Sequence, residues 1–102
     1  PIIGGGTYAR DGVAAISCTG YGEAFIQGVV AHEIASRVRH AGQDLAASVR
    51  DVLDQEVGGR GATGGLVAVA ADGRVVVAHN SPAMFAVFRD DDFRADEIIV
   101  LT

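Results

Sequence analysis

Two Asp-Gly pairs, Asp11-Gly12 and Asp72-Gly73, each interrupt an apolar run, and the stretch between them has helical rather than strand periodicity. An Asp-Gly pair between apolar runs is a strong hairpin signal, because a type I′ turn needs positive φ at both central positions. The pattern predicts strands over Thr7 to Arg10 and Val13 to Cys18, and again over Leu66 to Ala71 and Arg74 to His79. Two hairpins separated by helices restrict the chain to a layered arrangement and argue against a βαβ array.

Between the hairpins, Ile26, Val30, Ile34 and Val38 recur every fourth residue with Phe25 and Val29 beside them, while Gln27, Glu33, Arg37 and His40 fall elsewhere. That is one amphipathic helix running from Gly22, with Gly42 as a C-terminal stop. A second helix is predicted from Gln43 to Glu56, with Leu45, Val49, Val52 and Leu53 inward. Gly58 to Gly65 carries too much glycine for either periodicity and reads as a loop, as do residues 1–6. Met84 to Phe88 and Ile98 to Leu101 read as strands on either side of an acidic turn, Asp90-Asp91-Asp92. The continuous apolar run Leu66 to Ala70 suggests a strand covered on both faces, which a small domain rarely achieves alone. The fold class is therefore α/β in the broad sense (α+β layered), as one domain over residues 1–102.

Composition excludes several roles. Net charge is −5 and all 8 basic residues are Arg, spread along the chain, so no cationic face for nucleic acid is expected. No apolar run reaches the roughly 20 residues of a membrane span. The 1 cysteine, Cys18, allows no internal disulfide and fits a reducing, cytoplasmic setting. His32, His40 and His79 match no ligand spacing, so neither a metal nor another cofactor is expected.

The chemistry is concentrated in Ser17-Cys18-Thr19-Gly20-Tyr21-Gly22-Glu23. An apolar strand ends there in a glycine-punctuated turn that opens a helix. Amides at a helix start lack internal acceptors, and glycine lets a ligand approach them. Such a turn holds a carboxylate, a phosphate or a developing oxyanion, with the Thr19 hydroxyl beside the amides. The plainer reading is that Gly20 and Gly22 only form the turn and Thr19 only caps the helix.

Three segments in order resemble the plant-type L-asparaginase/isoaspartyl peptidase family of N-terminal-nucleophile hydrolases: Pro1 to Ala9, Val13 to Ile26 with its Thr-Gly-x-Gly-Glu element, and Gly64 to Val69. The resemblance covers nearly the whole chain. It implies half of a four-layer αββα sandwich, the C-terminal part of a self-cleaved β-subunit. It implies a threonine nucleophile, and the Arg and Asp of a substrate clamp, upstream of Pro1. It assigns Thr19 and Gly20 to an oxyanion hole, and Thr19, Gly20, Tyr21 and Gly22 to substrate contact. The implied partners are the upstream α-subunit and Thr-bearing segment of the same precursor, a second αβ unit, and a small-molecule or dipeptide substrate. Ala70 and Ala83 depart from the family pattern and bear on substrate preference. The residues also admit a glycosylasparaginase or threonine-aspartase-like protein, a tautomerase using the Pro1 amine as base, and a non-catalytic remnant that binds or assembles.

Overall fold

A computed structural model of the protein describes residues 1–80 and the backbone of residues 98–101. The expected strand Met84 to Phe88 and the Asp90-Asp91-Asp92 turn lie outside the described residues. Strands β1 (Thr7–Arg10) and β2 (Ala14–Gly20) lead into helices α1 (Gly22–Gln27), α2 (Val30–Ala41) and α3 (Leu45–Val52). A π-helical turn (Leu53–Val57) and a 3₁₀ turn (Gly58–Arg60) follow, then β3 (Gly64–Ala70), β4 (Val75–His79) and β5 (Ile98–Leu101). The strands form a 5-stranded sheet in the order β1-β2-β3-β4-β5. β1 to β4 pair antiparallel in succession, and β5 runs parallel to β4.

Both Asp-Gly pairs do turn the chain, but by a different geometry from the one the dipeptide suggests. Gly12 and Gly73 have positive φ, whereas Asp11 and Asp72 do not. At the first turn the Val13 amide donates to the Arg10 carbonyl, with positive φ only at Gly12, the signature of type II. At the second, the Gly73 amide donates to Ala70 and the Ala70 amide to Arg74. That is the three-residue loop in which glycine follows a type I turn. The Asp72 carboxylate accepts from the Arg74 amide at 3.1 Å, which gives the aspartate its role there.

The sheet buries one face along β2 and β3 and both faces at β4, where Val75 and Val77 are as buried as Val76 and Ala78. Ala14 and Ile16 are buried while Ala15 and Ser17, which alternate with them, are exposed, the period of a half-covered strand. Register carries that face across the sheet: Ile16 pairs with Ala68, which pairs with Val76, and Cys18 aligns with Leu66 and Ala78. Onto these residues pack Phe25, Val30, Ile34, Val49, Val52 and Val57. The cover on both faces expected for β3 is not complete among the described residues, since Val67 and Val69 are 37% and 36% exposed. Ser48 is the buried polar residue of the described core, and its hydroxyl donates to the Ile34 carbonyl at 3.0 Å, tying α3 to α2.

The first helix is broken where periodicity alone predicts continuity. Val29 has φ 47°, left-handed and costly for a β-branched residue. The break lets the N-terminal loop cap α2: Ala31 and His32 amides donate to the Gly5 and Gly4 carbonyls at 3.1 and 2.9 Å. Two amides that would otherwise lack acceptors are thereby satisfied. Ile26, read as inward from its spacing, is left 47% exposed. The second helix, expected from Gln43 to Glu56, is α-helical over Leu45–Val52 and continues as the π-helical turn Leu53–Val57. Asp44 caps it, accepting from the Ala46 and Ala47 amides, and Leu45, Val49, Val52 and Leu53 are all buried as their spacing predicts.

Candidate active site

Thr19 and Gly20 end β2, Tyr21 precedes α1, and Gly22 is its first residue. The turn depends on two glycines in contact. Gly20 has φ +131°, and a Cβ there would lie 2.5 Å from the Gly64 Cα and 2.7 Å from the Thr63 carbonyl. A Cβ on Gly64, its cross-strand partner, would fall 2.5 Å from Phe25 ring carbons. Only unsubstituted backbone lets the α1 aromatic ring close over β3 at this point. Asn80 holds the entry to β3 from the other side. Its carbonyl oxygen accepts from the Gly64 amide at 2.7 Å, and its Nδ2 donates to the Ala62 carbonyl at 3.0 Å.

Beside this turn lies an open cavity of about 310 Å³, near the lower end of small-molecule sites. Cys18, Thr19 and Gly20 form its strand side, Gly22, Phe25 and Ile26 its helix side, and Pro1, Ile2 and Gly6 close it along the N-terminal loop. Strand alternation sets the direction of the key amide. The Cys18 amide donates to the Gly6 carbonyl at 2.8 Å, and the Tyr21 amide donates the opposite way, to Thr63 at 3.1 Å. Gly20 is in phase with Cys18, so strand alternation directs its N–H to the side of β2 where β1 has not yet begun and Pro1, Ile2 and Gly6 line the cavity. Thr19, in phase with Ser17, lies on the open face of the sheet and is exposed.

Of the four residues singled out in the sequence, Thr19, Gly20 and Gly22 line the cavity and Tyr21 is not among its lining residues. The Tyr21 phenol instead donates to the Glu23 carboxylate at 3.0 Å, in solvent. That hydrogen bond, with the adjacent negative charge, raises the phenol pKa. Helix α1 has only 6 residues, so the electrostatics of the turn rest on individual amides more than on a macrodipole. Periodicity and motif reading gave Ile2, Gly6 and Ile26 no place at the site, and weighed Pro1 only as the base of an alternative tautomerase. The glycine run 4–6 was the available signal, since a loop that packs against a helix start needs it.

Cys18 lies on the wall of the same cavity, and burial pushes its thiol up to about 12 from 9.0. The folded state thus holds the thiol proton more tightly than the unfolded chain does. Cys18 contributes stability below pH 9 that is lost as pH rises from 9.0 toward about 12. Thiolate being the reactive form, labelling by a disulfide reagent at pH 8 is expected to run at least about tenfold slower in the folded protein than in urea. Equal rates would place the thiol in solvent.

Among the described residues no group of three or more His, Cys, Asp or Glu is placed to hold a metal ion. His32 stacks edge-on against Tyr8 with ring centroids 5.0 Å apart. No described helix is long and apolar enough to cross a membrane.

The asparaginase family model matches residues 1–99. The chain is 38% identical over 85 residues to an isoaspartyl peptidase of Salmonella typhimurium, covering 83% of this chain and 27% of that protein. It is 35% identical to the isoaspartyl peptidase of Escherichia coli, over 83% of this chain and 26% of that protein. It is 39% identical to a plant-type L-asparaginase of Thermococcus kodakarensis, over 89% of this chain and 29% of that protein. The chain thus spans between a quarter and a third of the length of these relatives, and the match includes the strand-turn-helix corner described above. A family match over residues 1–99, with relatives of this kind, establishes that the chain belongs to the asparaginase family, with the isoaspartyl peptidases and plant-type L-asparaginases.

Proposed function

We propose that these residues supply the oxyanion-binding half of an amidohydrolase that cleaves the side-chain amide of asparagine or a β-aspartyl peptide bond. The nucleophile is a threonine outside residues 1–102, carried by another segment of the same protein. Its α-amine takes the hydroxyl proton as the oxygen attacks the amide carbonyl. Charge builds on the carbonyl oxygen, where the Gly20 amide and the Thr19 hydroxyl stabilise it. The C–N bond then breaks and the departing nitrogen leaves protonated, as ammonia or as the amine of the following residue. Water hydrolyses the remaining ester and releases aspartate.

The observation that carries this reading is Gly20, which lines an open cavity beside Thr19 with no side chain of its own in the way. The open face of the sheet, where Thr19 shares a side with Ala15, Ser17, Val67 and Val69, is where a second sheet would complete an αββα sandwich. The Thr-bearing segment and the upstream α-subunit are the partners proposed for that face, within a dimer of αβ units formed after self-cleavage in the cytoplasm. The relatives' names support hydrolysis of isoaspartyl peptides and asparagine.

The test uses the full-length gene product and measures aspartate released from β-aspartyl dipeptides and from asparagine. Thr19→Val in that protein is expected to lower kcat about 100-fold with little change in KM, the loss typical of one oxyanion donor. Because Thr19 is exposed, its replacement leaves the packing of this half intact. An unchanged kcat removes Thr19 from the oxyanion hole. Failure of the full-length protein to hydrolyse either substrate class overturns the whole reading and favours a binding or assembly module.

A further inference from the structure

We infer that residues 2–6 and the helix break at Val29 form one two-position clasp: docked, the loop caps α2; released, α1 and α2 join into a single helix. The inference stands apart from the amidohydrolase reading. Local sequence favours the joined form. Ile26, Val30, Ile34 and Val38 recur every fourth residue straight through the break, the pattern of one helix from Gly22 to Ala41. Contacts between distant segments impose the other form, and the conflict falls on Val29, a β-branched residue held at φ 47°. Glycine at position 29 would make the same break without steric cost. The glycine present is one residue earlier and serves a different need. Gly28 is right-handed at φ −82°, and a Cβ on it would lie 2.8 Å from the Glu56 Cβ.

Main chain holds the docked form. Gly4 and Gly5 are the buried residues of the loop, and three consecutive carbonyls act as its hooks. Gly4 and Gly5 accept from the His32 and Ala31 amides, and Gly6 accepts from Cys18 on β2 at 2.8 Å. A few hydrogen bonds, each of small net worth, oppose the strain of a left-handed valine, so the two forms lie close in free energy. Release leaves no donor of α2 stranded. In the joined helix the Ala31 and His32 amides find acceptors four residues back, at the Gln27 and Gly28 carbonyls. Ile2 and Gly6 of the loop and Phe25 and Ile26 of α1 line the cavity beside Thr19, so its shape follows the position of the clasp.

Hydrogen exchange of the full-length protein, read amide by amide and corrected for intrinsic rates, tests this. Release frees the Gly4 amide from the Thr7 carbonyl and the Cys18 amide from Gly6, while Ala31 and His32 only change acceptors. Protection at Gly4 and Cys18 is therefore expected to be at least about tenfold below that at Ala31 and His32, the mark of a local opening. Val29→Gly removes the strain and is expected to raise protection at Gly4 and Cys18 about tenfold relative to the core amide of Val49. Gly4→Ala puts a side chain at φ +91° and is expected to lower protection at Cys18 by about the same factor, an independent check from the other side of the contact. Exchange at Ala31 and His32 as fast as at Gly4 would mean that the loop frays without the helices joining, and overturns the inference. Protection at Gly4 and Cys18 equal to that at Val49 overturns it as well, and so does an unchanged rate in Val29→Gly.

Discussion

Gly64→Ala is expected to lower the unfolding free energy of the protein by about 3 kcal/mol, the upper part of the range for overpacking. The added methyl group has nowhere to go. It meets Phe25 Cε2 and Cζ at 2.5 Å and the Thr19 carbonyl at 2.7 Å. The ring can move only by leaving the core, where Phe25 is 3% exposed, and the carbonyl belongs to the strand that ends at Gly20. Under the proposed function, the substitution also lowers kcat of the full-length protein, by shifting Thr19 and Gly20. Denaturant midpoints for Gly64→Ala, Phe25→Leu and the double variant check this. Relief of part of the loss in the double variant shows that the ring is the obstacle. A loss below about 1 kcal/mol would show that the glycine contact is loose and that the turn is not fixed as described.

Ile34→Ala is expected to cost about 3–4 kcal/mol, within the range for truncating a fully buried isoleucine. Ile34 is 0% exposed, at the centre of α2, and its neighbours in the core come from the sheet and from α3. Its carbonyl also accepts the Ser48 hydroxyl, so the backbone on either side of the vacated space is held in place and collapses poorly into it. A domain is stable by about 5–15 kcal/mol in total, so the change removes a large fraction of what is available. Thermal unfolding of the full-length variant, with Ile26→Ala as the exposed comparison on the preceding helix, provides the measurement. Equal losses at the two positions would mean that α2 does not face the core as described.

Much of the fold is legible in local pattern. Period two in β2, glycine after aspartate at both turns, and the four inward positions of α3 each follow from constraints acting within a few residues. The family resemblance is legible for a similar reason. Thr-Gly-x-Gly-Glu at the end of an apolar strand is a local backbone requirement, and residues near it in sequence can satisfy it. Where local reading failed, a distant contact had won. The type I′ expectation gave way to turns in which only glycine takes positive φ, because loop length and strand register choose the turn. Helix continuity through Val29 gave way to capping by Gly4 and Gly5, more than twenty residues upstream by the numbering.

The site divides along the same line. Residue identity alone established that a glycine-lined turn with a hydroxyl beside it opens a helix, since steric freedom and missing amide acceptors are local properties. Tertiary packing alone decided that Thr19, Gly20 and Gly22 line a cavity and that Ile2 and Ile26 line it with them. Those outcomes depend on where β1 begins and on a loop docking across a helix break. Each is a relation between segments far apart in the chain, and no short-range periodicity encodes it.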